Sequence, residues 1–116
     1  MVKIFELEDR TLRFSTEILI LSKALFGDAI SKELIIQLVR SSGSVGANYR
    51  EANEAISKKD RLHRLKIARK ECKESTYWLE LIKSYYAPEI LQKIDPLIDE
   101  SHQIRKILSA IINKLS

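Results

Sequence analysis

The chain has 116 residues, of which 45% are hydrophobic and 31% charged, and its formal net charge is +4. This length and composition exclude a disordered or fibrous chain and predict one folded domain, residues 1–116. The single cysteine, Cys72, excludes an internal disulfide framework and a multi-cysteine zinc site. We expect a cytoplasmic protein without a membrane partner, because no signal-peptide pattern is visible and the longest apolar run, residues 18–21, is far too short to cross a bilayer.

The sequence predicts an uninterrupted helix 1 but leaves the continuity of helix 2 open. Helix 1 is expected over residues 6–25, followed by a turn at Gly27. Helix 2 is expected to begin at Ser31 as the N-cap residue. Its middle, residues 41–47, is rich in Ser, Gly and Ala, so either another helix approaches closely there or the helix breaks. Helix propensity favours the break, since each glycine costs about 1 kcal/mol relative to alanine. A broken helix would also permit a helix-turn-helix, a less favoured alternative.

In the second half of the chain, the sequence signals for helix starts and ends are stronger. Ser57 is expected to cap helix 3, which should continue to about Tyr86, where Pro88 stops it. A short helical turn is expected over residues 88–93. The pair Asp95 and Pro96 then reads as the N-cap and first residue of helix 4. Four amphipathic helices with short connections predict an all-α, up-and-down antiparallel four-helix bundle.

Helix 3 carries a concentrated positive charge. Residues 58–73 hold eight basic and two acidic side chains, and this local excess invites an anionic partner. At helical spacing, several of these cations and one tyrosine form a lysine stripe: Lys59, Lys66, Lys70, Lys73 and Tyr77, with Arg69 near its edge. Lysines can follow a nucleic-acid backbone while a tyrosine stacks on a base. The alternative interpretation is an ordinary solvated face.

A second stripe on helix 3 is unexpectedly apolar. It consists of Ile67, Glu71, Glu74, Trp78, Leu81 and Tyr85, and its large side chains would face solvent opposite the core stripe in an isolated bundle. We therefore predict a subunit interface, in which the two glutamates meet basic residues of a neighbouring copy. Alternatively, the turn at Pro88 or the N-terminal segment covers this stripe.

No catalytic or metal-binding pattern is expected to be functional. Asp60-x-x-His63 and Asp99-x-x-His102 have a spacing seen in metal-binding bundles, but helical geometry points both histidines outward. Cys72 falls on the core face of helix 3, and no phosphate-binding loop or nucleophile elbow is present. We expect a non-enzyme without metal or cofactor.

Two motifs resemble a known family. Ser-Val-Gly-Ala-Asn-Tyr-Arg-Glu-Ala at residues 44–52, within a longer similar run over residues 38–52, is one; Lys-Glu-Ser-Thr-Tyr-Trp-Leu at residues 73–79 is the other. Together with residues 57–60, they are similar to the bacterial four-helix-bundle proteins encoded in intervening sequences of large-subunit ribosomal RNA genes. The resemblance covers about residues 10–115, although Ser42 stands where the motif often has alanine.

The resemblance implies several properties. Helix 2 would continue through Gly43 and Gly46, and the protein would form a homo-pentameric ring. The family offers no catalytic residues, and a related branch is the accessory protein of diversity-generating retroelements, a basic pentamer that partners a reverse transcriptase. The motif positions are expected to have structural roles in hydrogen bonding and packing: Arg40, Ser44, Asn48 and Glu51.

These observations predict a non-catalytic oligomer that binds nucleic acid, RNA ahead of DNA, through the lysine stripe. Arg50 and Arg64 are secondary candidates for contact with phosphates. The alternative is a protein-interaction scaffold, for example an accessory subunit of a reverse transcriptase, whose basic surface meets acidic side chains of a protein partner.

Overall fold

A computed structural model describes residues 4–25, 27–86 and 88–116. It contains four long helices, α1 (Ile4–Leu25), α2 (Ala29–Asn53), α3 (Lys58–Tyr85) and α4 (Leu91–Leu115), with a single 3₁₀ turn at Pro88–Ile90. Each helix packs against the next one in the chain, and α1 closes the bundle against α4. This arrangement confirms the predicted all-α four-helix bundle. Within the described ranges, no helix has an apolar stretch long enough to span a membrane.

The core is formed by one stripe from each helix. On α1 the stripe includes the fully buried Leu7, Phe14 and Ile18, and on α3 it includes Leu65 and Leu79. Burying each such side chain stabilises the fold by about 1.5–3 kcal/mol. Because the four stripes meet along one axis, the opposite sides of the helices remain available for other contacts.

The start of α2 differs from the sequence prediction. Asp28, not Ser31, is the N-cap: its Oδ1 accepts a hydrogen bond from the Ser31 backbone N–H at 2.8 Å. Ser31 is buried in the first turn. The hydrogen bonds from Ser31 hold the pKa of the exposed Asp28 carboxyl below its usual value. Tyr85 adds a further hydrogen bond, donating its hydroxyl to Asp28 Oδ2 at 3.2 Å.

The expected break in α2 is wrong, because the helix runs without interruption through both Gly43 and Gly46. The continuity implied by the family resemblance is confirmed, and a helix-turn-helix at this position is ruled out. Val45 and Tyr49 are buried in the second half of the helix. The free energy of burying them outweighs the helix cost of about 1 kcal/mol per glycine.

The ends of α3 and the start of α4 follow the prediction only in part. Ser57 caps α3 as expected, accepting the Asp60 backbone N–H on its hydroxyl oxygen at 3.0 Å. Helix α4, however, begins before the predicted Asp95–Pro96 boundary and contains Pro96. A proline at this sixth position deprives only the carbonyl of Gln92, in the first turn, of its helical partner. Asp95 pairs with Lys83 at 2.7 Å instead of capping α4.

Buried hydroxyl groups link three helices through the core. Ser75 of α3 donates to the Ser41 hydroxyl of α2 at 3.0 Å. The hydroxyls of Thr76 on α3 and Ser101 on α4 lie 2.7 Å apart. Among the described residues, no buried side-chain nitrogen or oxygen lacks a hydrogen-bond partner. These small side chains let α3 approach both neighbours closely without leaving unsatisfied polar groups.

Candidate nucleic-acid interface

The lysine stripe lies on the outward side of α3. Lys66, Lys70 and Lys73 are exposed, and Tyr77 exposes 56% of its surface. They are held outward because the core stripe of the same helix, including Leu65 and Leu79, anchors the opposite side. The predicted exposure of these cations and of the tyrosine is therefore confirmed.

A shallow groove of about 670 Å³ follows this stripe between α3 and α4. We call it the basic groove. It is lined by Lys66, Arg69, Lys70, Lys73, Glu74, Tyr77, Arg105 and Ser109. Five of the six side chains predicted to contact nucleic acid thus line one surface. The sixth, Lys59, is exposed near the start of α3 and is not among the lining residues.

Helix α4 contributes two lining residues that the sequence did not single out. Arg105 adds a fifth cation, and Ser109 accepts a hydrogen bond from Arg69 Nη1 at 3.4 Å. Both positions directly follow buried core residues of α4, Ile104 and Leu108. This position, one residue after a buried core residue, was the only sequence signal for Arg105 and Ser109. It became informative once α4 was known to pack against α3.

A second depression of about 420 Å³ adjoins the basic groove and shares three of its residues, Lys73, Tyr77 and Arg105. Its other lining residues include His102 and Glu80. The residues that it adds, Thr76, Glu80 and His102, include no lysine or arginine, so the cations lining these two depressions all belong to the basic groove. An extended anion would contact cations from both helices along this surface.

The carboxylate among the lining residues is already neutralised within the chain. Glu74 pairs through Oε2 with Arg40 Nη2 and accepts a hydrogen bond from Trp78 Nε1 at 2.9 Å. Trp78 also meets the Tyr77 ring edge to face, with ring centroids 5.1 Å apart. These contacts leave the five groove cations without a competing acidic partner in the lining and support the tyrosine ring from one side.

The sequence argument for a subunit interface assumed that the second α3 stripe lies opposite the core and faces solvent, and the structure contradicts this assumption. Glu71 and Glu74 pair with Arg40 of the same chain, and Trp78 packs against the core. Five of the six side chains are half-buried, and only Tyr85 is exposed. The stripe therefore lies beside α2 instead of opposite the core. Whether it also contacts another copy stays a prediction.

The family-motif positions of α2 largely have the structural role expected of them. Arg40 links α2 to α3 through the two glutamates. Asn48 donates to the carbonyl and the hydroxyl oxygen of Ser44, both at 2.9 Å, and accepts from Arg64 Nη1 at 3.3 Å. Glu51 is exposed.

Cys72 has the properties of a structural residue. It is fully buried, and its thiol donates to the Ser101 carbonyl at 3.1 Å. Burial raises the pKa of the Cys72 thiol to about 12, so the reactive thiolate is scarce near neutral pH. Across the described ranges, no three His, Cys, Asp or Glu side chains are grouped so that they could hold a metal ion.

The chain is similar to known proteins in both sequence and fold. A family model described as 23S rRNA-intervening sequence protein matches residues 5–110. A crystal structure of a protein of unknown function from the S23 ribosomal protein family of Bacteroides thetaiotaomicron superposes with a TM-score of 0.84. The two sequences are 36% identical, and the match covers 97% of this chain and 99% of that one. No curated protein matches.

Proposed function

This chain belongs to the 23S rRNA-intervening sequence protein family, and from that premise we propose that it is a non-catalytic oligomer that binds nucleic acid, RNA ahead of DNA. The basic groove is the proposed contact surface. The preference for RNA rests on the exposed Tyr77, whose ring can stack on an unpaired base of single-stranded RNA. Such a partner would be met in the cytoplasm.

The observation that carries this proposal is the convergence of cations from two helices around one exposed tyrosine. Lys66, Lys70 and Lys73 of α3 and Arg105 of α4 line the same groove as Tyr77. Cations in such a row displace counterions from a phosphate backbone, and this release drives binding that weakens steeply with salt. Tyr77 offers a ring on which an unpaired base can stack.

The groove favours recognition of the backbone over recognition of sequence. Its cations are mostly lysines, which bind phosphate as point charges. No asparagine or glutamine lines it, although these side chains read adenine edges in specific complexes. We therefore expect affinity for structured or single-stranded RNA with little dependence on base sequence.

Oligomerisation would strengthen such binding. The family resemblance implies a ring of five copies, and each copy would add one basic groove. Once one groove is occupied, the others meet the same nucleic acid at a high effective concentration. Moderate affinity at each groove would then give tight binding by the ring.

The alternative function is a protein-interaction scaffold for a nucleic-acid enzyme such as a reverse transcriptase. The exposed apolar side chains of α1 and α2, including Leu12 and Ile36, favour it, because protein partners cover apolar surface. In that case the basic groove would meet acidic side chains. Nucleic acid that copurifies with the protein would distinguish the two functions, since a scaffold has no reason to retain it.

The test is a fluorescence-anisotropy titration of labelled structured RNA and of duplex DNA with nuclease-treated protein, at low and at physiological salt. The test variant combines Lys66→Glu, Lys70→Glu and Lys73→Glu. A matched control carries Lys23→Glu, Lys32→Glu and Lys93→Glu, three exposed lysines outside the groove. Both variants change the net charge equally, so any difference reports the location of the cations.

We expect the groove variant to lose RNA binding at physiological salt and the control to lose far less. Wild-type binding should weaken steeply as salt rises. If the wild-type protein binds neither nucleic acid at low salt, the proposal is wrong and the scaffold becomes the leading function. If the two variants lose affinity equally, the binding surface lies outside the basic groove.

A further inference from the structure

A cavity of about 1060 Å³ opens at the end of the bundle where α1 and α3 begin and α2 and α4 end. All four helices line it, with Ile4 from α1, Tyr49 from α2, Leu65 from α3 and Ile111 from α4. We call it the end cavity. No residue that the structure describes lines both this cavity and the basic groove, so the proposed contact with nucleic acid leaves it unused. Its volume is sufficient for a small organic ligand.

The wall of the end cavity is mainly aliphatic. Six of the described side chains that line it are aliphatic, and three of them, Ile107, Ile111 and Leu115, recur every four residues on one side of α4. All three are half-buried, because they pack against the core and also border the cavity. Helix α1 contacts α4 much less extensively than α3 does, so this side of α4 is only partly covered. A ligand with an apolar body would remove the wall from water.

Two cations also line the end cavity. Arg61 of α3 and Lys114 of α4 are exposed lining residues and form its rim. In the described part of the chain, no Asp or Glu lines this cavity and neither cation forms an ion pair. Glu8, which accepts a hydrogen bond from the lining residue Asn53 at 2.9 Å, already lies 3.9 Å from Arg50. The rim therefore carries a net positive charge, which favours an anionic group on the ligand.

The composition of the lining selects among anions. A nucleotide base is recognised by stacking on an aromatic ring, but Tyr49, the aromatic residue of the lining, exposes only 3% of its surface and offers no ring face. A free phosphate would leave the aliphatic wall in contact with water. An aliphatic chain that ends in a carboxylate matches both features, because its methylenes cover the wall and its head group pairs with a guanidinium or an ammonium group.

We propose that the end cavity binds a free fatty acid. The aliphatic chain lies along the side of α4 that carries Ile107, Ile111 and Leu115. The carboxylate pairs with Arg61 and Lys114 at the rim. This inference goes beyond the proposed function and does not depend on it, since RNA binding uses cations on other parts of α3 and α4. The two sites can therefore be tested separately.

The test is isothermal titration calorimetry of the full chain with sodium decanoate below its micelle-forming concentration. One variant, Ala110→Trp, fills the cavity from an exposed lining position outside the core. The matched control, Ala24→Trp, places the same side chain at an exposed position of α1 outside the lining. We expect Ala110→Trp to raise the dissociation constant for decanoate at least tenfold and Ala24→Trp to keep the wild-type value. Helicity by circular dichroism verifies that each variant folds.

A second pair of variants tests the cations. Arg61→Gln combined with Lys114→Gln removes both charges of the rim. Its control combines Lys23→Gln with Lys32→Gln, two exposed lysines outside the cavity. We expect only the rim variant to raise the dissociation constant for decanoate at least fivefold. Octanoate, which has two methylenes fewer, should bind the wild type about 15-fold more weakly than decanoate. Octanol, which lacks the charge, should bind at least fivefold more weakly than octanoate.

A wild type that does not bind decanoate overturns the inference, and so does an unchanged dissociation constant in Ala110→Trp. Equal affinities of the rim variant and its control, or of octanol and octanoate, overturn the assignment of an anionic ligand. A wild type that binds phosphatidylglycerol vesicles but not decanoate overturns the free fatty acid in favour of a membrane lipid. RNA titration of Ala110→Trp separates the two proposals, because this variant should retain wild-type RNA affinity whatever its affinity for decanoate.

Discussion

Gly46 of α2 lies directly against Thr11 of α1: a Cβ at Gly46 would be 3.0 Å from Thr11 Oγ1 and 3.3 Å from its Cβ. Thr11 is fully buried, and its hydroxyl donates to the Leu7 carbonyl at 2.9 Å. The threonine therefore has little room to yield. The closeness of the two helices at this point depends on the missing side chain, and this explains a glycine in the middle of a long helix.

Gly46→Ala should destabilise the fold, whereas Gly43→Ala should stabilise it. Overpacking against Thr11 costs about 1–3 kcal/mol, and the gain in helix propensity returns about 1 kcal/mol, so we expect a net loss of about 1 kcal/mol. At Gly43 the new methyl group makes only an ordinary contact, so the propensity gain of about 1 kcal/mol remains. Denaturant unfolding at low protein concentration measures the change in the free energy of unfolding for each variant. Equal effects would show that α1 and α2 do not pack closely at Gly46.

Arg105→Gln should weaken RNA binding, although the sequence analysis did not single out this residue. Arg105 lines the basic groove, whereas its neighbour Lys106 is exposed and outside the lining. Lys106→Gln is therefore the matched control, with the same loss of charge on the same helix. Loss of one phosphate contact reduces the slope of log K against log salt by about 0.7 for a single strand. A salt titration by anisotropy measures it, and equal slopes for the two variants would remove Arg105 from the site.

Tyr77→Phe should retain RNA affinity, and Tyr77→Ala should lose it. Stacking of a base on an aromatic ring contributes about 1–3 kcal/mol, so the alanine variant should bind about 5- to 150-fold more weakly. The phenylalanine variant keeps the ring and the edge-to-face contact with Trp78. Anisotropy at fixed salt with a single-stranded RNA compares them. If Tyr77→Phe loses as much affinity as Tyr77→Ala, the hydroxyl and not the ring makes the contact.

Cys72 should resist thiol reagents in the native protein. Because Cys72 is fully buried and this burial raises the pKa of its thiol to about 12, labelling at pH 8 should require the native fold to open and should be slow. Above the ordinary thiol pKa, the unfolded chain loses the Cys72 proton while the folded chain keeps it. The Cys72 contribution to stability should therefore be lost as the pH rises from about 9 to about 12. The free energy of unfolding of the wild type and of Cys72→Ala, compared across that pH range, isolates this contribution. Rapid labelling of the native protein would contradict the burial of Cys72.

The α-helical class, the bundle and the exposure of the lysine stripe could all be predicted from the sequence. Helical periodicity reports which side of each helix is apolar, and the charge of residues 58–73 is a local property. The same local reasoning was wrong where long-range packing decides: propensity alone predicted a break at Gly43 and Gly46. The start of α4 was also misplaced, because Pro96 is tolerated inside the first turns of a packed helix.

The sequence by itself determined which residues are apolar, charged or small, and hence the helices and their faces. Only the tertiary structure decided which faces meet. It brought Arg105 of α4 beside Lys70 and Lys73 of α3 in one groove. It also paired Glu71 and Glu74 with Arg40 of the same chain, whereas the sequence analysis had expected their basic partners on a neighbouring copy. Periodicity fixes the angle of a side chain about its own helix, whereas the rotation and neighbours of each helix follow from how all four stripes are buried together.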